Sequence, residues 1–413
     1  MDFRPFRSRD FRLLFAAQFV SLLGSMVTYV ALPYQMYRLT GSSLAVGLLG
    51  GVELVPLLVT AFIGGAIADA VDRRRIALAS DVALAAGSAA LAFIAAIGAS
   101  AWMLYLVAAW MSAISGLQRP AIESLVPRLI EKDDMPAAAA LAVVRGSIGM
   151  IAGPAVGGML LSSAGLTATY LADVGSYGAS LACLWMISAV PPAADAERPS
   201  LTAVFEGFRY ARSREELIGT YVVDFVAMVF GMPLALFPAI SDRLGGPSVL
   251  GVLYAAPAVG ALAAGVAGRW ASRVQRHGLA VMVAAAIWGV AIVAFGLCVT
   301  LWPALVSLAI AGGADAVSGI FRMTMWNQTI PDALRGRLAS IEMVSYMSGQ
   351  LLGHVEAGLV AAAFGVPASV VSGGVLCVVG VVACGLLLPR FVRYDARTFT
   401  AMAGAAAGSA STG

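Results

Sequence analysis

The chain has 413 residues, of which 60% are hydrophobic and 12% charged, with a net charge of +3 and a mean hydropathy of +0.88. Soluble domains carry about 25% charged residues, so these values exclude a soluble protein. They leave a polytopic membrane protein whose small positive charge gives no reason to expect a nucleic-acid partner.

The N-terminus is rich in arginine (Arg4, Arg7, Arg9, Arg12) and leads into an apolar stretch too long for a cleaved signal peptide. Crossing the hydrocarbon takes about 20 apolar residues. Spans are expected at 13–37, 43–68, 76–98, 102–125, 138–162 and 166–190. A second set is expected at 217–240, 248–270, 278–299, 302–326, 338–363 and 366–389. The predicted domains are an N-terminal six-helix bundle (1–190), a cytoplasmic linker (191–216), a C-terminal six-helix bundle (217–395) and a disordered tail (396–413). In the linker, Pro191-Pro192 ends span 6. Leu201, Phe205 and Phe208 then lie opposite Glu206, Arg209 and Arg212, the pattern of an amphipathic helix on the inner interface.

Orientation follows from the arginines. Only Lys132 among the 26 basic residues is a lysine. With both termini cytoplasmic, the inner side holds the four N-terminal arginines, Arg73, Arg74, Arg75, Arg128 and Lys132. It also holds Arg198, Arg209, Arg212, Arg214, Arg269, Arg273, Arg276, Arg335, Arg337, Arg390, Arg393 and Arg397. The outer side holds Arg38 and Arg243 alone, and basic residues near helix ends resist translocation. The single lysine and the heavy use of alanine and glycine suggest a GC-rich bacterial genome, so the expected location is the inner membrane of a bacterium. The halves echo each other: GGAIADAVDRRR closes span 2 and AGVAGRWASRVQR closes span 8. Duplicated halves around a central site are the plan of secondary transporters.

Charges within the spans cost roughly 2.5–3.5 kcal/mol each on insertion scales, so they have partners or duties. They are Glu53, Asp81, Arg119, Glu123, Arg145, Asp173, Asp224, Asp315, Arg322, Glu342 and Glu356, with His354 the one histidine inside a span. Glu53 and Asp315 lie near mid-span and Asp224 a turn further in. A carboxylate in a low-dielectric cavity can bind and release a proton near neutral pH, which makes these three the candidates for proton coupling. Arg145 either balances a carboxylate or meets an anionic substrate. His354 and Glu356, two apart on a helix, share no face. Cys183, Cys298, Cys377 and Cys384 fall inside apolar runs and read as small buried residues.

The stretch GMIAGPAVGG in span 5 places Gly149, Gly153 and Gly157 on one bare stripe, with Pro154 and Gly158 beside it, so that another helix can approach closely. Similar stripes occur at Ala256, Gly260, Ala264 and Gly268, at Gly47 and Gly51, and at Gly349 and Gly353. GMIAGPAVGG resembles the antiporter motif of the major facilitator superfamily, typical of its exporters. Gly65–Arg74 is similar to that superfamily's loop G-x-x-x-D-R-x-G-R-R, with Ala70 in place of the basic residue and Asp72 in place of glycine. The pattern Arg119–Pro127, Phe208–Tyr210, LYAAPAVGA at 253–261 and GRL at 336–338 resemble one bacterial branch, that of the enterobactin exporter and of drug and macrolide efflux proteins.

The resemblance covers essentially the whole chain. It implies an all-α fold of twelve transmembrane helices in two pseudo-symmetric six-helix bundles. It also implies a monomer that exports small molecules by alternating access, driven by protons and without a cofactor. Spans 1, 4, 7 and 10 line the central cavity in that superfamily, which favours Asp224 and Asp315 as coupling residues. It makes Tyr29, Trp110, Arg119, Arg145, Phe225, Met228, Phe230, Phe321 and Arg322 candidates to line a substrate cavity. Asp81 and Asp173, on peripheral spans, rank lower. Asp69, Arg73, Arg74, Arg75, Glu123 and Glu342 gather near the inner surface as a candidate gate, unless those arginines only set topology. Drugs or hydrophobic metabolites lead as cargo, siderophores or other natural products follow, and uptake comes third. No phosphate-binding loop precedes Lys132, and no H-E-x-x-H occurs among His277 and His354, so neither an ATP-driven pump nor a membrane enzyme is expected. A receptor would leave the duplicated halves unexplained.

Overall fold

The computed structural model describes residues 2–70, 72–98, 100–188 and 209–396, with the backbone alone at 62–70, 269, 270, 272, 332, 333, 335–337, 339 and 340. The amphipathic part of the predicted linker, up to residue 208, and the tail from 397 lie outside this range; residues 209–212 are helical.

Long helical segments joined by short turns make up most of the described residues and lie over the expected spans, with two departures. The first six are α1 (Arg9–Thr40), α2 (Ser43–Ala70), α3 (Arg73–Ile97), α4 (Ala101–Glu123), α5 (Met135–Ser163) and α6 (Gly165–Trp185). The second six are α7 (Glu215–Phe230), α8 (Pro247–Val266), α9 (His277–Leu297), α10 (Leu301–Thr329), α11 (Asp332–Phe364) and α12 (Val366–Leu387). Ten of the transmembrane segments are long and apolar enough to cross a membrane. The other two, α6 and α11, have 21 and 33 residues and are long enough but more polar.

Local chemistry sets the boundaries. Ser8 caps α1 by accepting from the Phe11 N–H at 3.3 Å, and Gly41, at φ 63°, ends that helix. Asp72 caps α3 by accepting from the Arg74 N–H at 2.9 Å. An acid is a strong N-cap, which gives the Asp72 that replaces glycine in the span 2–3 loop a structural use. One expected span is not continuous. After Phe230 the chain leaves the helix at Gly231–Pro233, then resumes as a 3-10 turn (Leu234–Leu236) and a short helix (Phe237–Leu244). Pro233 has no N–H to continue the ladder. The expected span 248–270 also ends early, at Val266, and passes into a 3-10 turn over Gly268–Arg273.

The chain forms two compact units: Met1–Pro199 with Leu234–Ala255 and Gly358–Val366, and Ser200–Pro233 with Ala256–Ala357 and Pro367–Gly413. Residues 234–255 thus cluster with the first bundle, although the sequence places them in the second. In the first unit α1 packs on α5 and α6, α2 on α4, and α3 on α4 and α6. Its core gathers Met36, Leu91, Leu104 and Tyr170, and the Tyr170 hydroxyl donates to Gln35 Oε1 at 2.7 Å. In the second unit α9 packs along α10. There Phe391, from a short helix after α12, is buried against Gly219 of α7 and Gly278 of α9.

Candidate functional site

The second unit brings together three of the charged residues singled out in the sequence. Asp315 and Arg322 stand seven residues apart on α10, so they share a face, and Asp224 of α7 joins them. The Arg322 guanidinium pairs with Asp224 through Nη1, and its Nη2 lies 3.7 Å from Asp315 Oδ1. Arg322 and Asp224 are buried at 8% and 5% exposure, whereas the Asp315 side chain is 38% exposed. A small recess opens beside the carboxylates, lined by Val223, Asp224, Ala227, Ala285, Trp288, Asp315 and Ser318. Trp288 is fixed there because its indole N–H donates to the Gly231 carbonyl at 2.9 Å.

Glu53, the third candidate for proton coupling, sits in the first unit, half-buried in α2. Ser112 of α4 donates to its backbone carbonyl at 2.8 Å. Its carboxylate has neither an ion-pair nor a hydrogen-bond partner among the described residues.

Other carboxylates in the first unit are satisfied. Asp173, fully buried in α6, accepts from Thr28 of α1 at 2.6 Å, Ser88 of α3 at 2.7 Å and Ser176 at 3.2 Å. Asp81 of α3 accepts from Gln118 of α4 at 2.5 Å and Ser180 of α6 at 2.6 Å. Donors of this kind stabilise a buried carboxylate without a cation, and they tie four helices together. None of these hydroxyl and amide partners stands out in the sequence, because Ser and Thr are common in such helices.

Around the predicted gate, Arg73 is buried and Arg75 exposed. Arg74 donates to the carbonyls of Leu184 at 3.0 Å and Trp185, joining the start of α3 to the end of α6. Glu123 accepts from Arg119 one turn away at 3.0 Å, both well exposed. Glu342 is half-buried in α11, and the side chain of Asp69 lies outside the described residues. Arg145 donates to Gln18 of α1 and stacks over the Phe15 ring at 5.6 Å; a neutral amide and an aromatic face, not a carboxylate, accompany it.

The candidate cavity aromatics separate. Met228 and Phe321 are only 1% exposed in this structure. Met228 packs on Gly349 and Gly353 of α11, and Phe321 on the His277 ring at 5.4 Å. Burial against a glycine stripe and against a neighbouring ring leaves neither a free face. Phe225 and Trp110 are exposed and Phe230 is half-buried, with the Trp110 N–H donating to Ala83 of α3 at 3.1 Å. Tyr29 meets Tyr254 edge-on at 5.4 Å.

The glycine motif is a packing device. A Cβ at Gly149 or Gly153 would meet Leu22 or Met26 of α1, and one at Gly157 would lie 3.1 Å from Val27 Cα. Gly158 faces α8, where its Cβ would come within 2.7 Å of the Gly251 nitrogen, and Pro154 lies against the same glycine.

Three comparisons complete the picture. The model of a family described as "transmembrane secretion effector", within the major facilitator superfamily, matches residues 1–405. The enterobactin exporter EntS of Shigella boydii serotype 18 is 28% identical over 384 residues, covering 90% of each chain. EntS of Escherichia coli O1:K1 / APEC is 29% identical over 385 residues at the same coverage. Among solved structures, a POT family transporter in complex with 5-aminolevulinic acid superposes with TM-score 0.73 at 13% identity, covering 92% of this chain and 96% of that one. The nucleoside transporter NupG superposes with TM-score 0.69 at 12% identity, covering 95% and 98%. At these identities the two structures share the fold.

Proposed function

The chain belongs to the transmembrane secretion effector family of the major facilitator superfamily, and we propose that it is a proton-coupled exporter of small amphipathic molecules, drugs or hydrophobic metabolites, working by alternating access. It would sit as a monomer in the inner membrane of a bacterium with both termini cytoplasmic. The arginine distribution supports that orientation.

The observation that carries the coupling is the carboxylate of Glu53. An ionised side chain at mid-span costs roughly 2.5–3.5 kcal/mol on insertion scales, and binding a proton removes that cost. Asp224 and Asp315 have Arg322 to share, and Asp81 and Asp173 have hydroxyl and amide donors. Among the described residues Glu53 has no such partner, so its protonation state is free to follow the side of the membrane that it faces.

The test is substrate-dependent proton release from proteoliposomes across a panel of amphipathic compounds. Active compounds should release protons with the wild-type protein, and Glu53→Gln should transport without proton release or not transport at all. Full proton release by Glu53→Gln would overturn the assignment. Siderophore export is the second reading, favoured by relatives described as enterobactin exporters at 90% coverage. A catecholate siderophore in the same panel, active where the drugs are silent, would select it.

A further inference from the structure

Two carboxylates and one guanidinium meet in the second unit, so the negative groups outnumber the positive one. Arg322 is buried, ion-paired with Asp224 and 3.7 Å from Asp315. Asp315 is the more open of the two acids and borders the recess, which leaves its charge only partly balanced. Ser318, one turn along α10, lines the same recess. The residue is 6% exposed, and its hydroxyl has no hydrogen-bond partner among the described residues. An unpartnered hydroxyl oxygen bordering a recess is available to a guest. Trp288 lines the recess as well.

These observations point one way. An excess carboxylate and a free hydroxyl oxygen, beside Trp288, form a receptor for positive charge. Size narrows the guest. The enclosed space of the recess is about 10 Å³, room for the centre of about one water-sized group and far short of the roughly 300–1,000 Å³ of sites that enclose whole drug-sized ligands.

We propose that the recess between α7, α9 and α10 binds one compact monovalent cation, seated on Asp315 and Ser318 beside Trp288. Two sources carry that chemistry: a dissolved alkali ion, and the primary ammonium group of a transported molecule whose remainder lies outside the recess. The proposal does not depend on proton coupling by Glu53. Binding is measured at fixed pH on the full chain in detergent without any gradient, so either proposal can fail alone.

The experiment titrates the purified protein with sodium chloride, methylammonium chloride or N-methylglucamine chloride at constant ionic strength. It follows tryptophan fluorescence and the thermal unfolding midpoint. A saturable response to sodium, methylammonium or both, absent with the bulky N-methylglucamine, is expected. Sodium alone identifies an alkali-ion site, methylammonium alone an ammonium subsite, and both a site open to either.

Asp315→Asn should weaken the apparent affinity at least about tenfold and Ser318→Ala by about threefold, the latter being the loss of one weak contact. Trp288→Phe should lose most of the fluorescence response but keep the thermal one. Three indistinguishable salts, or an unchanged affinity in an Asp315→Asn protein that elutes as a single species, would overturn the proposal. Should Asp315→Asn not fold, Ser318→Ala decides, since it removes one oxygen; unchanged affinity there has the same consequence.

Discussion

Asp173 and Glu53 are both acids inside apolar helices, yet their surroundings give them opposite tasks. Asp173 is a hub for hydroxyls from α1, α3 and its own helix. Single interhelical hydrogen bonds in membrane proteins average about 0.6 kcal/mol, so Thr28→Ala should lower stability by about that much. Asp173→Ala removes the shared acceptor and strands the Thr28 and Ser88 hydroxyls, while Ser176 keeps its bond to the residue 173 carbonyl, a cost of about 1–3 kcal/mol. Unfolding in detergent should show the larger loss for Asp173→Ala, and equal losses would deny the hub. Glu53→Gln breaks no side-chain bond, so it should leave the unfolding midpoint unchanged or raised while abolishing proton-coupled flux. That acids would matter is legible in the sequence. Which acid is satisfied is not, because Thr28 and Ser88 meet Asp173 across 145 and 85 residues of chain. No local spacing encodes such a meeting. Arg322, Ser318 and Asp315 share a face of one helix and could be grouped from spacing, but Asp224 joins them only through the fold.

At the scale of elements, α5 shows how a sequence motif becomes a fit between helices. Gly157 and Gly158 sit where a neighbouring backbone, not a flexible side chain, occupies the space of a Cβ. Backbone cannot move aside without shifting its helix, so Gly158→Ala should separate α5 from the Gly251 end of α8 and lower both the unfolding midpoint and export. Gly146, earlier on α5, faces nothing within 4 Å. There alanine removes only the conformational penalty of glycine, so Gly146→Ala should be neutral or stabilising by up to about 1 kcal/mol. Similar losses from the two variants would mean that the motif acts through helix propensity and not through contact. The stripe was readable from its four-residue period, but its two partners were not. Three glycines turn to α1 and the fourth to α8, a division that depends on where the helices lie. The break in α7 was half legible: Pro233 is plain in the sequence, yet a hydropathy reading runs through it because the residues on both sides are apolar.

At the scale of the whole molecule, α6 is the critical element for topology. It is long enough to cross a membrane, but its polar residues lower its mean hydropathy below that of its neighbours. Their placement explains this. Thr169, Asp173 and Ser180 are buried inside the first unit, whereas Leu171 and Trp185 are exposed. A soluble protein has the reverse arrangement, and a helix in lipid has this one, because its polar groups need partners that lipid does not supply. We therefore expect α6 to span fully, which places its two ends on opposite sides. Cysteines introduced at Ala164, before α6, and at Ser213, after the linker, test this in cells expressing a variant whose four native cysteines are replaced by serine. An impermeant maleimide should label Ala164→Cys in intact cells, and Ser213→Cys only in inverted vesicles. The arginine asymmetry predicts the same sides, since Arg209, Arg212 and Arg214 flank Ser213 while no basic residue lies near Ala164. Labelling of both positions from one side would remove α6 from the membrane. The helix count would then be odd, and both termini could not be cytoplasmic.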